Sequence, residues 1–299
     1  MGLWFIKGMF LILHKQTLAP DVKRLDILAP AIARKFRPGQ FVSVCPEEGG
    51  ERIPLTIIDA DGQKGSIALI FREVGETTRK LGAFSIKESV FSILGPLGAA
   101  SCIEKKGEVV CLATGVGIAQ MLPLCRALKS AGNKITGIIG AKTRQDLILD
   151  TQMRLSCDKF YTAVEDGAYE RRKATDVFLK IIQERTINCV YAVGSVEMMK
   201  EVCHLTKTKG IATRVILNSM MVDCLGMCGS CRVTVAGRCV LACIDGPEFD
   251  GHQVDFQDLM VRMKAYKEAE QWHSPKLPYS QKKSESGILT KFLSGILNE

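Results

Sequence analysis

Several features that would place this chain quickly are missing from it. It has two tryptophans, 6% aromatic residues, and 40 basic residues scattered without a long Lys/Arg run. The net charge of +8 is mild over 299 residues, so the electrostatic footprint of a nucleic-acid binder is lacking and nucleic acid is not an expected partner. The most apolar stretch near the start, residues 3–13, is broken by Lys7 and Gly8. A span needs roughly 20 apolar residues, so no membrane span is expected. No small-residue cleavage site follows that stretch. Without an export signal, twelve cysteines set the expectation of a reducing, cytoplasmic compartment, where clustered thiols mean metal or redox chemistry more often than disulfides. There is no internal repeat.

What is present is an ordinary globular composition, 46% apolar and 24% charged, long enough for two or three domains. Residues 9–98 carry short alternating runs such as "VKRLDIL", "GQFVSVC" and "GSIALIFREV" between Gly, Pro and Asp. Period-2 alternation of this kind predicts an antiparallel sheet closed into a barrel. Over residues 99–220, buried strands such as "EVVCLAT" and "NCVYAVGS" alternate with helical runs such as "ATDVFLKIIQER", which predicts parallel βαβ units of a nucleotide-binding kind. Residues 221–265 begin with a glycine-rich stretch too poor in apolar side chains to fold without a metal. They end in a helix presenting Phe256, Leu259, Met260 and Met263 on one face. Residues 266–299 read as a Ser/Pro/Lys linker and an amphipathic tail, which either packs or docks on a partner.

Five cysteines and an aspartate crowd the stretch "MVDCLGMCGSCRVTVAGRCVLAC" at 221–243. A plant-type two-iron cluster uses C-x4-C-x2-C with a distant fourth ligand. Asp223, Cys228, Cys231 and Cys243 reproduce that arrangement, with x4, x2 and x11 between them, and Gly226, Gly229 and Ser230 keep the loop small. The aspartate is a harder donor than thiolate and alters the cluster's potential. Two competitors stand beside this set. Cys224 offers an all-thiolate site at x3 spacing, and strand alternation puts Cys239 on one face with Leu241 and Cys243. A zinc site on Cys228, Cys231, Cys239 and Cys243 is the other metal reading, weakened because zinc ribbons usually pair two C-x2-C knuckles.

Two further motifs suit anionic cofactors. "ERIPLTI" puts Arg52 and Thr56 near one end of a strand, with Pro54 and Leu55 between them, and "FREVGETTRKL" offers Phe71, Gly75, Thr77 and Thr78 at a helix start. An arginine and a helix N-terminus both suit a pyrophosphate. "ATGVGIAQ" is a strand–turn–helix holding Thr114, Gly115, Gly117 and Ile118, with Gln120 in place of the third glycine of a Rossmann fingerprint. Gly194 falls at the end of a later strand. Lys142 and Arg144 follow the second strand, where they either meet a 2′-phosphate or are solvated, so NADH and NADPH both stay open.

Together these motifs resemble the ferredoxin–NADP reductase superfamily. Within it they are similar to the flavin and iron–sulfur electron-transfer subunits of dihydroorotate dehydrogenase and of NADH-dependent ferredoxin:NADP oxidoreductase, also described as sulfide dehydrogenase. The resemblance is strongest at "MVDCLGMCGSCRVTVAGRCVLACIDGPEFDGHQVDF". It implies an antiparallel flavin-binding β-barrel, a Rossmann-like parallel α/β nucleotide domain and a small C-terminal [2Fe–2S] domain. It further implies FAD at Arg52, Pro54, Leu55, Thr56, Phe71, Gly75, Thr77 and Thr78. NAD(H) or NADP(H) is implied near Thr114, Gly115, Gly117, Ile118 and Gly194, and a [2Fe–2S] cluster on Asp223, Cys228, Cys231 and Cys243. The implied partner is a larger subunit with its own FAD and [4Fe–4S] clusters in an electron-bifurcating heterodimer, with ferredoxin as a further partner. The dihydroorotate dehydrogenase or a hydrogenase is the alternative destination, and a zinc-bearing scaffold without redox activity the reading from another class. Cys224, Cys239, Thr114 and the tail depart from the family pattern.

Overall fold

The computed structural model describes residues 10–166 and 172–264, all within one unit of the chain. The expectations for the first eight residues and for the linker and tail at residues 266–299 lie outside the described residues.

The alternating segments of the first third form β1 (Ile12–Ala19), β2 (Val22–Leu28), β3 (Phe41–Cys45), β4 (Ile53–Asp61), β5 (Ser66–Arg72) and β6 (Ser92–Leu97). They pair antiparallel in the order β1-β2-β5-β4-β3-β6. Alternate residues such as Leu25, Ile27, Val42, Val44, Ile67 and Leu69 turn inward to one core, as a sheet with one packed face requires. The expected closed barrel is only partly formed, since β1 and β6 share no ladder. Instead the sheet curls until residues 10–12 bond to residues 87–90, with Ile12 N–H to Glu88 O at 2.9 Å and Val90 N–H to Phe10 O at 3.0 Å. A short α1 (Pro30–Ala33) and α2 (Glu76–Ala83) fill the connections.

The chain then winds through β7 (Glu108–Thr114), α3 (Gly117–Ser130), β8 (Lys134–Ala141), α4 (Asp150–Leu155), β9 (Lys159–Val164), α5 (Ala174–Glu184), β10 (Cys189–Val193), α6 (Val196–Lys207) and β11 (Ala212–Ile216). These strands pair in parallel, β11-β10-β7-β8-β9. β7 is buried on both faces: Val110 and Leu112 join one core, Val109, Cys111 and Ala113 the other. Its run of consecutive apolar residues has that cause. Six of the seven dispersed cysteines are buried and Cys102 is exposed.

The cysteine-rich segment contributes a hairpin, β12 (Arg232–Val235) and β13 (Arg238–Leu241), then β14 (Glu248–Asp250) and α7 (Phe256–Lys264). β14 pairs antiparallel with β11 and extends the nucleotide-type sheet. Val233, Ala242, Phe249, Phe256 and Leu259 share the core of that sheet, which ties the metal-type loop to it. No helix among the described residues is long and apolar enough to cross a membrane.

Candidate functional site

Two cavities and one loop hold eleven of the seventeen candidate site residues singled out above. The first cavity, of about 380 Å³, lies between β4, the end of β5, the start of α3 and the segment after β11. Pro54, Leu55, Thr56, Phe71 and Thr78 are in its wall. Arg52, Gly75 and Thr77 stand beside it rather than in it. The Arg52 Nη2 donates to Ser92 Oγ at 2.9 Å, while its Nη1 is buried without a partner. An arginine held by one edge with the other desolvated calls for an anion. Gly75 caps α2, Thr78 closing its first turn through Gly75 N–H to Oγ1 at 3.0 Å. Thr77 donates to Glu51 at 3.3 Å, which holds the start of α2 against the Arg52 segment. Polar side chains not expected there from sequence also join this wall, among them Arg72, Gln120, Asn218 and Ser219.

The second cavity, of about 490 Å³, sits at the carboxyl ends of β7, β8, β9 and β10, where open α/β sheets bind their ligands. Thr114 and Gly115 are in its wall. Gly115 has φ +58° and a Cβ there would meet nothing within 4 Å, so its bare backbone faces open space. The other two glycines make room inside the protein. A Cβ on Gly117 would come 3.0 Å from Val193 O, and one on Gly194 would come 2.0 Å from Thr114 Oγ1. Gly117 thus lets α3 lie against β10, and Ile118 is fully buried in the core behind it. Lys142 lines the cavity with Lys173, Glu165 and Glu197, whereas Arg144 is not part of the wall.

Arg72 and Val116 line both cavities. The Arg72 guanidinium stands between two carboxylates, its Nη2 donating to Asp146 at 3.3 Å and its Nε 3.5 Å from Asp21. It pins the turn after β1 to the loop after β8.

On the cysteine-rich loop, the Asp223 carboxylate accepts backbone N–H bonds from Leu225 (3.0 Å), Met227 (3.1 Å) and Cys228 (2.7 Å). The Leu225 amide leads in holding this carboxyl below its ordinary range. The exposed Cys228 thiol is lowered, first by the Ser230 hydroxyl, whose oxygen is 3.1 Å from its sulfur. Cys243 is pushed up to about 12 by burial and by the neighbouring Cys231 thiol. The four side chains therefore form two pairs, Asp223 with Cys228 and Cys231 with Cys243. Among the described residues no three His, Cys, Asp or Glu side chains gather as a single ion would require. Four side chains are the number a two-iron cluster takes.

The competing thiols are placed differently. Cys239 is exposed and Cys243 buried. Strand alternation cannot align them, because β13 ends at Leu241 and Cys243 lies in the turn beyond it. Cys224 is buried in the left-handed conformation, φ +64°, with burial raising its thiol to about 11 and Ser43 of β3 beside it. It faces the first sheet rather than the open side of the loop.

A curled antiparallel sheet followed by a parallel nucleotide-type sheet is the ferredoxin reductase-like fold, here with an iron–sulfur type loop after it. The same arrangement occurs in phthalate dioxygenase reductase, a modular structure for electron transfer from pyridine nucleotides to [2Fe–2S] (14% identity, TM-score 0.54, covering 76% of this chain and 85% of that one). Residues 218–255 match the iron–sulfur cluster binding domain of dihydroorotate dehydrogenase B. The chain is 39% identical over 259 residues to a dihydroorotate dehydrogenase B (NAD(+)) electron-transfer subunit homolog of Thermotoga maritima, covering 87% of this chain and 92% of that one. It is also similar to a chain in the structure of the NADH-dependent reduced ferredoxin–NADP oxidoreductase, at 38% identity and TM-score 0.84, covering 88% of this chain and 96% of that one. The chain belongs to the electron-transfer subunit family of dihydroorotate dehydrogenase B.

Proposed function

We propose that this chain is the flavin- and iron–sulfur-bearing subunit of an NAD(P)H-dependent oxidoreductase, passing electrons from a pyridine nucleotide to a larger partner subunit. The observation that carries the reading is the serial arrangement of the three sites. Arg72 and Val116 are common walls of the two cavities, and the far wall of the first, at Ser219 and Met221, is two residues from Asp223. FAD fits the first cavity, where Arg52 and the start of α2 supply the anion contacts and Pro54, Leu55 and Phe71 the apolar wall. The dinucleotide fits the second, over the bare backbone of Gly115. A two-iron cluster fits the pairs Asp223/Cys228 and Cys231/Cys243. Bound flavin supplies the exchange between a two-electron hydride donor and a one-electron cluster. The protein's part is positional: it keeps the cavities adjoining and seats the buried Cys224 of the loop beside Ser43 of the first sheet.

Electrons leave through the open side of the loop. There Cys228 is exposed, and Val222, Leu225, Met227 and Ile244 are exposed apolar residues of the same segment, Met227 at 85%. Clustered exposed apolar side chains mark interaction surfaces, and we assign this one to the larger flavin/[4Fe–4S] subunit. The favoured complex is an NADH-dependent ferredoxin:NADP oxidoreductase, because a chain 38% identical to this one takes part in that enzyme. A dihydroorotate dehydrogenase is the second reading, favoured by the Thermotoga maritima relative. Assay of the co-purified complex with dihydroorotate and with reduced ferredoxin decides between them. Zinc without a yellow chromophore in the purified chain would contradict both.

A further inference from the structure

Gln120 sits at the fourth residue of α3, where the Rossmann fingerprint has its third glycine. A glycine there gives close helix–strand packing, but this position instead carries a long amide that reaches out of the helix into the first cavity. Both hydrogens of its Nε2 are engaged, one with Thr56 Oγ1 on β4 at 2.9 Å and one with Asn218 Oδ1 at 2.8 Å. The amide thereby joins three segments far apart in sequence: the first sheet, the nucleotide-type turn and the strand exit five residues before Asp223. Those two bonds also fix which way its other end faces. Gln120 Oε1 is buried and has no hydrogen-bond partner, and a buried carbonyl left unpaired is costly. Nearby in the same wall, Ser219 Oγ is likewise buried and unpaired.

Thr56 completes the pattern. Its oxygen already accepts from Gln120, which leaves its hydroxyl proton to donate. The wall therefore presents a donor, the Thr56 hydroxyl, next to an acceptor, Gln120 Oε1, with the orientation of each set by the other. This suits a ring nitrogen that accepts a hydrogen bond when oxidised and carries a proton when reduced. A flavin changes in that way: hydride addition breaks the nicotinamide C–H bond, forms a ring N–H bond and moves two electrons, so the nicotinamide is oxidised and the flavin reduced.

We propose that Gln120 Oε1 accepts the hydrogen bond of the N–H that reduction creates in the flavin ring, stabilising the reduced form over the oxidised one. The proposal rests on the flavin reading of this cavity. Its link to Asn218 makes the same side chain the tie between the flavin pocket and the segment entering the cluster loop.

The test uses the full chain, purified anaerobically and loaded with FAD, and reads the flavin midpoint potential by spectroelectrochemistry together with FAD stoichiometry. In Gln120→Met, which keeps the length and loses the hydrogen bonds, the reduced-to-oxidised ratio is expected to fall about tenfold at a fixed potential. That is a negative shift of about 30 mV for a two-electron couple. Should Gln120→Met not accumulate as folded protein, Gln120→Asn, with the amide drawn back by one methylene, is expected to shift in the same direction. A variant that binds FAD at wild-type stoichiometry with an unmoved potential overturns the role of Gln120. Failure of the wild-type chain to bind FAD overturns the flavin reading instead, and the two failures are distinguishable because stoichiometry is measured first.

Discussion

Arg52 offers a buried guanidinium edge to an anion. Replacing it by methionine keeps the packing of its stem and removes the charge, and loss of a charge-assisted hydrogen bond is worth about 1.5–3 kcal/mol. FAD affinity is therefore expected to fall about 10- to 100-fold, read by fluorescence titration, with little change in urea midpoint. Gly115 makes a separate prediction. With φ +58° and open space at the Cβ position, Gly115→Ala meets no clash but carries about 1–2 kcal/mol of left-handed strain. Unfolding free energy should fall by about that amount, and NADH affinity should fall as well, because the methyl group enters the second cavity. At the metal loop, Asp223→Ala should lose or alter the two-iron EPR signal, while Cys224→Ser and Cys239→Ser keep it. Loss of the cluster in Cys224→Ser with Asp223→Ala unaffected would show the ligand set to be wrong. At this scale spacing singles out Asp223, Cys228, Cys231 and Cys243 as a candidate ligand set, and they lie on one loop. The site was not legible for Arg72 or Ser219, since a single polar residue at a strand end or strand exit has no pattern to betray it, and for Gln120 the motif showed only a missing glycine, not a contact.

Among the elements, β14 has the least sequence signal and a large structural consequence. Three residues, Glu248–Asp250, are too few to show alternation, yet they add an antiparallel edge to the parallel sheet and bring Glu248 into it. Glu248 has a buried, unpartnered Oε2, and burial raises its carboxyl above the ordinary range, although Arg214 lies 3.9 Å away. The folded chain thus holds this proton more tightly than the unfolded chain does. Stability contributed by the group is complete below the unfolded carboxylate pKa, about 4.3, and is lost as pH rises through the higher folded value. Urea midpoints from pH 4 to 8 should show that loss in the wild type and a smaller loss in Glu248→Gln. An identical pH profile in both would refute the assignment. The longer elements were readable because their burial is periodic. β7 shows the reason for its apolar run by facing two cores, and the first sheet shows its period of two. Closure of that sheet was not readable, because it depends on a few backbone bonds between residues 10–12 and 87–90, which no side-chain pattern records.

For the molecule as a whole, the central claim is that three sites stand in series: a nucleotide cavity, a flavin cavity sharing Arg72 and Val116 with it, and a cluster loop two residues beyond the flavin wall. The order of the motifs along the chain allowed such an arrangement. Their adjacency is a product of packing, since residues 53–78, 116–120 and 216–221 meet at one cavity only after both sheets have formed. We place the exit of the series at the exposed apolar residues around Cys228, and Met227→Glu is expected to weaken co-purification of the partner subunit without reducing iron or flavin content. The most direct test of the series is an anaerobic NADH titration of the full chain, followed by visible absorption and EPR with flavin, iron and sulfide counted per chain. One FAD, two irons and two sulfides are expected, with flavin bleaching accompanied by the EPR signal of a reduced two-iron cluster. A flavin that bleaches while the cluster stays oxidised at potentials where dithionite reduces it, or a chain that carries zinc in place of iron, would contradict the account.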